Sequence, residues 1–417
     1  MTEQLKLKLN DSKATRWGAL VIVAFTMMAA YYVNDVVAPL KTMLETDLAW
    51  SSTDFGFFTG GYSFLNVFFL MLIWGGLILD RFGIRFTGKL ATILMVGGTA
   101  LEYYAMTGLA GADATLFGIN EIFGYKTGVF VAFAGYSIFG VGAEVAGITV
   151  SKIIAKWFKG KELATAMGVQ VALARIGSQA GYAVAIPLAR AFGISTPVLL
   201  GLVLLLGGMI AFFIFAVMDK KLDKQMEAAA IAAGTEDEEE KFSFKDVKNI
   251  LVNPGFWLIA LLCVLFYSCV FPFQKFASEL MIIKYGINEN VAGTFAGLPA
   301  LGALILTPVF GGFIDKRGKS ASIMLLGSAM LICVHFIYAI PDINYWLVAI
   351  VLMIILGIAF SLVPSAMWPA VAKIFPVSQL GTAYALIFFI QNIGLWGIPT
   401  LIGWVLDAYC ISGKKPD

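Results

Sequence analysis

Two opposite charges interrupt the apolar stretch 140–187, in which two predicted helices flank a short basic turn at 156–161. Glu144 precedes this turn and Arg175 follows it at a similar separation. At about 1.5 Å per residue, both fall about 18–20 Å from the turn, near the middle of a bilayer. A charge at that depth costs several kcal/mol unless it is paired or lines water. We therefore expect either a buried structural ion pair or a cavity that presents an anion and a cation to a zwitterionic solute.

The composition is that of a polytopic membrane protein. The 417 residues are 59% hydrophobic and 13% charged, whereas soluble domains carry about 25% charged residues. The four cysteines lack metal-ligand spacing. The sequence contains no nucleotide-binding loop, metal cluster or nucleophile triad. It therefore predicts no cofactor, no metal site, no nucleic-acid partner and no enzymatic activity.

Apolar runs divide the chain into six predicted spans, a charged break and five further spans. The runs are 17–40, 55–79, 88–109, 127–155, 163–190, 196–218, 254–284, 290–314, 321–340, 345–372 and 379–408. We expect an N-terminal six-helix bundle over 1–218, a linker over 219–253 with an amphipathic helix at 242–251, and a C-terminal bundle of helices 7–11 over 254–417. The fold class is all-α integral membrane.

Lysine and arginine sort by loop. The N-terminus and the loops near 81–89, 152–161, 220–248 and 316–319 are basic, whereas 110–126 and 341–344 are poor in these residues. The positive-inside rule then places the N-terminus and the linker in the cytoplasm. Eleven spans leave the C-terminus on the other side, and we expect a twelfth span that this sequence does not include.

The two halves of the sequence repeat. Helices 4–5 match helices 10–11 when their residue numbers are shifted by 217. This shift aligns Arg175 with Asn392 and Glu144 with Ser361. A loop motif occurs after helix 2 and again after helix 8, as Gly76, Asp80, Arg81, Gly83 and Arg85 and as Gly311, Asp315, Lys316 and Gly318. Its glycines allow close helix approach, and its charges cap or pair so as to hold one side closed in one state. We interpret both copies as gating elements.

This loop is the signature of the major facilitator superfamily, which the sequence resembles. The segments 157–163, 174–178, 270–273, 368–369, 379–384 and 391–392 are similar to the branch that contains animal lysosomal dipeptide transporters. The resemblance implies two six-helix bundles and uniport of diverse dipeptides. It further implies that Glu144 and Arg175 hold the two termini of the substrate. Outer loops lack an N-x-Ser/Thr sequon, which favours a bacterial cytoplasmic membrane over the alternative, a lysosomal one.

Other polar and aromatic residues within the spans are candidates for the substrate cavity. They are Tyr31, Tyr32 and Asp35 in helix 1, Gln179 beside Arg175, Lys275 in helix 7, Trp368 in helix 10 and Asn392 in helix 11. Trp368 either walls the cavity or packs, and Lys275 either faces the cavity or extends to the interface. Pro272 should break helix 7, and we interpret it as an outer gate. Glu102 in helix 3 is either an interhelix residue or a proton relay.

Three functions remain open on these residues. The first is a transporter that moves dipeptides by alternating access, with uniport favoured because helix 1 lacks the E-x-x-E-R/K motif of peptide–proton symporters. The second is a proton-coupled symporter of a small organic anion, and the third is a receptor or scaffold that does not transport. The expected partners are a small-molecule substrate and the lipid bilayer. We expect a monomer, and nothing implies an accessory subunit.

Overall fold

The computed structural model describes residues 8–111, 114–233, 244–375 and 377–410. These residues are helical except for connections and one hairpin of two short strands, β1 (Glu121–Ile122) and β2 (Tyr125–Lys126). The first half contains α1 (Lys13–Val36), α2 (Lys41–Asp47), α3 (Ser52–Phe68), α4 (Met71–Gly108), α5 (Thr127–Trp157), α6 (Leu163–Phe192) and α7 (Thr196–Ala233). The second half contains α8 (Phe244–Val252), α9 (Pro254–Ile283), α10 (Glu289–Ala296), α11 (Leu298–Arg317), α12 (Ser320–Ala339), α13 (Trp346–Ile374) and α14 (Val377–Val405).

The predicted apolar runs fall on these helices. Within the described residues, eight helices are long and apolar enough to cross a membrane, or nine if the bent pair α3–α4 counts as one span. α6 is not among them, since Arg175, Ser178 and Gln179 lower the hydropathy of its middle. The amphipathic helix predicted at 242–251 is confirmed as α8, whose Ile250 is fully buried.

Helices 2 and 3 of the sequence pattern meet inside α4 at Gly83. This residue has φ +74° and ψ 174°, whereas its neighbours are helical. Glycine adopts a positive φ at little cost because it has no Cβ. The motif glycine therefore provides the bend that separates the two spans.

The prediction that Pro272 breaks helix 7 is wrong. α9 runs without interruption from Pro254 to Ile283, with Pro272 inside it. Proline removes one donor to the carbonyl of Ser268, but a membrane helix tolerates this loss when neighbouring helices enclose the site. Pro272 itself is buried in that way. A gating role for it stays a prediction, without a helix break to support it.

Each half has its own hydrophobic core. One core contains buried residues of α1–α7, joined by Phe276 of α9. The other contains buried residues of α8–α14, joined by Ala38 and by Tyr182 of α6. The first core reaches Leu222, because α7 continues beyond the expected end of its span to Ala233.

The helix bundles have two ends. We call the end that carries the loops 81–89 and 152–161 the basic face, and the other end the opposite face. The two bundles meet in the half near the opposite face, where α3 packs on α14 and α6 packs on α10 and α11. The approach is close, since a Cβ added at Gly56 of α3 would lie 2.4 Å from the carbonyl oxygen of Pro399.

Candidate functional site

Arg175 of α6 lies between aromatic rings of the two bundles. Its guanidinium carbon is 5.6 Å from the ring centroid of Tyr31 in α1 and 5.0 Å from that of Phe360 in α13. Such geometry gives a cation–π attraction to each ring. Within the described segments, Arg175 forms neither an ion pair nor a hydrogen bond. Its five N–H donors are therefore available to a ligand.

Glu144 of α5 has one polar partner among the described side chains. The hydroxyl of Tyr62 in α3 donates a hydrogen bond of 3.0 Å to its Oε1. Glu144 and Arg175 both act electrostatically on Tyr31, which places them in one neighbourhood. They form no ion pair with each other. The interpretation as a structural ion pair is therefore wrong for this conformation.

The C-terminal bundle faces Arg175 with a row of aromatic rings from α9 and α13. Phe360 packs edge to face on Phe271 at 5.4 Å, and Phe271 stacks on Tyr267 at 5.5 Å. Trp368 donates its indole N–H to the Tyr267 hydroxyl at 3.3 Å. Tyr267 also lies within electrostatic reach of Arg175. Trp368 thus belongs to a wall of rings that extends from the guanidinium.

Lys275 and Asp35 pair with each other across the two bundles. The Lys275 Nζ donates to Asp35 Oδ1 at 3.0 Å and to the backbone oxygen of Asn34 at 2.5 Å. The Asp35 Oδ2 accepts a hydrogen bond of 2.6 Å from the Ser178 hydroxyl, and Tyr136 donates to the Asn34 backbone at 2.8 Å. In this conformation both charges are satisfied by protein groups, which suits a closed gate better than a free substrate contact.

Three further residues predicted for the cavity have protein partners. Tyr32 donates to the carbonyl of Pro197 at 3.2 Å inside the N-terminal bundle. Gln179 donates to the carbonyl of Thr294 at 3.3 Å, between the bundles. Asn392 is buried and donates to the carbonyl of Phe388 at 2.9 Å in its own helix. In this conformation Glu144, Arg175 and Tyr31 share one neighbourhood, whereas these three residues each donate a hydrogen bond to a protein carbonyl.

A set of polar contacts that sequence reasoning missed joins the bundles at the opposite face, and we call it the opposite-face lock. Lys41, which is 1% exposed, bonds Glu279 of α9 at 2.6 Å and Glu45 at 2.5 Å. Arg190 pairs with Glu289. Asp407 accepts hydrogen bonds from the backbone N–H groups of Ser52 and Thr53 at 3.1 and 2.6 Å. The signal available in the sequence was a lysine directly after the apolar run 17–40.

The first copy of the loop motif contacts its own bundle at the basic face. Asp80, which is exposed, accepts from Lys152 at 3.0 Å. Arg85 bonds Asp223 at 2.5 Å and lies 3.4 Å from Asp219. Asp219 is fully buried and also accepts from Lys156 and from the Trp157 indole, at 2.8 and 2.9 Å. The burial of Asp219 was not predicted, although its position directly after the apolar run 196–218 was a signal in the sequence.

The close helix approach expected at the motif glycines is wrong for this conformation. A Cβ at Gly76 or Gly311 would meet no atom within 4 Å. Gly318 has a positive φ of 79° and ends α11, as Gly83 bends α4. The side chain of Asp315 lies outside the described part of the structure. Gating by either copy of the motif stays a prediction.

The N-terminal segment docks on the turn between α5 and α6. Arg16 donates to Glu162 at 2.8 Å, and Lys161 donates to Asp11 at 2.6 Å. The hydrogen bond from Arg16 holds the pKa of Glu162 below its ordinary value, and the hydrogen bond from Lys161 does the same for the pKa of Asp11. These pairs fix the start of α1 to the basic turn that follows Glu144.

A cavity of about 1380 Å³ lies elsewhere, among α9, α12 and α14 near the opposite face. Its lining includes Ser268, Phe273, His335 and Ile402. The residues that line it do not include Glu144, Arg175 or the other residues predicted for substrate binding. The site of Glu144 and Arg175 is therefore separate from this cavity, which instead borders the acids Glu45, Glu279 and Asp407 of the opposite-face lock.

The helical fold and the two copies of the loop motif are typical of a membrane transporter. The family model described as Major Facilitator Superfamily matches residues 20–397, and the chain belongs to that superfamily. It is a multi-pass membrane transporter, so the expectation of a transporter rather than an enzyme is confirmed.

Among curated relatives, the chain is similar to proteins named lysosomal dipeptide transporter MFSD1. It is 29% identical over 409 residues to the Homo sapiens protein, covering 95% of this chain and 81% of the relative. It is 33% identical over 287 residues to the Gallus gallus protein, covering 66% and 62%. The predicted resemblance to this branch is confirmed.

Solved structures support the fold. A mutant of the nucleoside transporter NupG aligns with TM-score 0.68 and 13% identity, over 94% of this chain and 91% of that one. A bacterial homologue of the human lysosomal transporter Spinster, in an inward-facing and unoccupied conformation, aligns with TM-score 0.65 and 16% identity, over 95% and 84%. At these identities the likeness concerns the fold, which confirms the predicted two-bundle class.

Proposed function

We propose that this transporter moves dipeptides by alternating access, as a uniporter. Glu144 binds the substrate ammonium and Arg175 binds the carboxylate. One observation carries the proposal: two opposite charges share a neighbourhood deep in the N-terminal bundle, and neither is neutralised by the other. A zwitterion that bridges them gives each group the oppositely charged partner that it lacks in the protein.

The chemistry of each end suits the assignment. A guanidinium offers two parallel donors to a carboxylate, a geometry that gives both strength and direction. Glu144 keeps one hydrogen bond, from Tyr62, and has further lone pairs for the N–H groups of an ammonium. Because Tyr62 is neutral, it orients the carboxylate without cancelling its charge.

The span between the termini gives length selectivity. A fully extended chain reaches at most about 3.5 Å per residue, so a dipeptide bridges about 7 Å and a tripeptide about 10 Å. Two charges fixed in one bundle should therefore favour one peptide length. The side chains of the substrate would lie against the rings of Phe360, Phe271 and Trp368, which discriminate weakly among apolar and aromatic groups.

The pairs at the opposite face support a conformation closed on that side. Opening there requires Lys41 to leave Glu279 and Lys275 to leave Asp35, so the transport cycle breaks both contacts. In superfamily transporters, rocking of one bundle against the other moves access around a fixed site. Glu144 and Arg175 belong to one bundle and would travel together.

We place the basic face and the N-terminus in the cytoplasm, because lysine and arginine concentrate in the loops of that face. We propose a bacterial cytoplasmic membrane rather than a lysosomal one. Fusions of a reporter that is active only outside the cytoplasm test this orientation. A fusion in the loop 110–126 should be active, and one inserted between residues 234 and 243 of the linker 219–253 should be silent. The reverse pattern would overturn the assignment.

Uptake by the full chain in proteoliposomes tests the substrate class. The panel contains dipeptides of varied side chains, single amino acids, tripeptides and dicarboxylates. We expect saturable uptake of dipeptides without a proton or sodium gradient, and none of single amino acids. Glu227→Gln, an exposed position of α7, serves as the control for a lost acid. Uptake confined to dicarboxylates would reject the dipeptide proposal and favour a symporter of organic anions.

A further inference from the structure

Glu102 of α4 is a buried acid that the substrate site does not use. It is 0% exposed, and neither of its carboxyl oxygens has a hydrogen-bond partner in the described part of the chain. The other buried acids differ from it, since Asp35 and Asp219 each accept hydrogen bonds from several groups. A carboxyl group held without partners inside a transporter calls for a chemical explanation.

Burial decides the charge state of this group. A carboxylate without partners in the membrane interior costs several kcal/mol, whereas the neutral acid avoids most of that cost. α4 and α5 approach closely here, since a Cβ on Gly135 would lie 2.8 Å from the Glu102 backbone nitrogen. This packing keeps water away from Glu102. In the present conformation the group is therefore a neutral carboxylic acid.

We call the Lys275–Asp35 pair between the bundles the gate. The groups around Glu102 connect it to this gate. The charged group in electrostatic reach of its carboxyl is Lys275 of α9. Tyr136 of α5 interacts with both Glu102 and Asp35 of α1, and its ring packs on Tyr62 of α3 at 5.8 Å. α14 also meets α4, and the turn after α14 directs Asp407 to the α3 backbone. α7 carries no titratable side chain between Thr196 and Met218. Glu102 therefore interacts electrostatically with Lys275, the lysine that pairs with Asp35 in the closed gate.

We propose that Glu102 is a proton-binding site whose occupancy controls the gate at the opposite face. Closure of the gate excludes water and requires the neutral acid. When the bundles part there, Lys275 leaves with the C-terminal bundle and water reaches Tyr136 and Glu102. The O–H bond of the carboxyl then breaks, the electron pair stays on oxygen, and the proton goes to water on the opposite side.

The proton exchanges with one side of the membrane only. Glu102 belongs to the half of the molecule that opens toward the opposite face, on the same level as the gate. A proton bound from that side and released to it regulates transport without being carried across. The proposal is therefore compatible with uniport and independent of the identity of the substrate.

Accessibility of the gate to a thiol reagent tests the proposal. Ser278 of α9 is fully buried one helical turn from Lys275, and Ser278→Cys introduces a thiol of similar size. In a background with the four native cysteines replaced by alanine, a membrane-impermeant maleimide added on the opposite side reports opening. Since thiolate reactivity itself varies with pH, rates are normalised to those of the detergent-unfolded protein. We expect normalised labelling to fall as the pH is lowered, by at most about tenfold per pH unit for a single proton.

Glu102→Gln carries an amide that cannot ionise, so it should label as slowly as the acidic wild type and show no pH dependence. Glu102→Leu should be equally flat, and thermal unfolding verifies that both variants fold. The control Glu227→Gln should retain the wild-type slope. A wild-type slope preserved in Glu102→Gln, or no slope in the wild type, would overturn the proposal. Proton movement in fixed ratio to substrate, measured with a pH dye inside the liposomes, would overturn the claim of exchange with one side.

Discussion

The two sequence repeats carry different chemistry at equivalent positions. In the N-terminal repeat, Arg175 lies between rings and Glu144 has one neutral partner. At the matching positions of the C-terminal repeat, Ser361 donates to the carbonyl of Gly357 at 2.7 Å and Asn392 donates to that of Phe388 at 2.9 Å. Both bonds run within one helix, to the carbonyl one turn back. One repeat thus keeps charges available for a ligand, and the other keeps none at these positions.

This difference indicates a division of labour between the bundles. In the proposed function, the N-terminal bundle binds the charged ends of the substrate, and the C-terminal bundle contributes Phe360 and the rings behind it. If both termini of a substrate are held by one bundle, rocking does not stretch the substrate between two moving bodies. The aromatic wall can then approach or withdraw while the ionic contacts stay intact.

The largest expected effect comes from replacing a charged residue of the N-terminal repeat. Arg175→Lys keeps the charge, but an ammonium cannot reproduce the two parallel donors of a guanidinium. It should lower dipeptide affinity by roughly 30-fold to 1000-fold, because loss of a buried charged contact costs about 2–4 kcal/mol. Asn392→Ser, at the equivalent position, should change affinity less than about tenfold. Binding to purified protein, measured by calorimetry, decides this. Equal losses from the two substitutions would remove the proposed asymmetry.

A smaller effect is expected from the aromatic wall. Phe360→Leu keeps an apolar side chain but removes one ring from the guanidinium, and a cation–π contact contributes about 0.5–2 kcal/mol. We expect dipeptide affinity to fall by about 2-fold to 30-fold, while the preference for free over capped termini stays unchanged. Phe271→Leu, one ring further from Arg175, is the matched control and should cost less. A larger loss from Phe271→Leu would show that the wall acts through packing alone.

The two loop motifs should affect rate more than affinity. Asp80 is 65% exposed in its pair with Lys152, so Asp80→Asn should cost about 0–1 kcal/mol of stability. We expect Asp80→Asn and Asp315→Asn to slow uptake several-fold with dipeptide affinity preserved, since they lie far from Arg175 and shift the balance of states. Initial uptake rates beside equilibrium binding separate the two quantities. A large loss of affinity with an unchanged conformational balance would contradict this role.

The smallest effect concerns Glu162, which aligns with Gln379 in the second repeat. The bond from Arg16 lowers the pKa of Glu162 in the folded protein, so its stabilising contribution is present above the unfolded pKa. That contribution is lost as the pH falls through the lowered folded pKa. Glu162→Gln should therefore lower the unfolding temperature slightly at neutral pH and by less at about pH 3. An equal difference at both pH values would exclude a charge effect.

Patterns within single segments were sufficient to predict much of the fold. Apolar runs of about 20 residues gave the helices, and repeated motifs gave the two bundles, because both signals are local or periodic. The fate of Pro272 was not predictable in this way. Whether a proline interrupts a membrane helix depends on the neighbours that enclose it, and those come from distant segments.

The charged residues of the candidate site were predictable from the sequence, but the protein groups that contact them were not. The depth of Glu144 and Arg175 follows from counting residues along a helix. The contacts of Phe360 with Arg175, Tyr62 with Glu144, and Lys275 with Asp35 join segments far apart in the chain. These contacts depend on how helices turn and pack, and periodicity within one helix does not specify that.

The central claim is that Glu144 and Arg175 bind the two ends of one substrate, and a matrix of capped ligands tests it most directly. Affinity is measured for the wild type, Glu144→Gln and Arg175→Lys against a free dipeptide, its N-acetyl form and its C-terminal amide. We predict that the N-acetyl ligand binds the wild type weakly and loses little more in Glu144→Gln, and that the amide behaves likewise in Arg175→Lys. Equal penalties for capped and free ligands in both variants would contradict the claim.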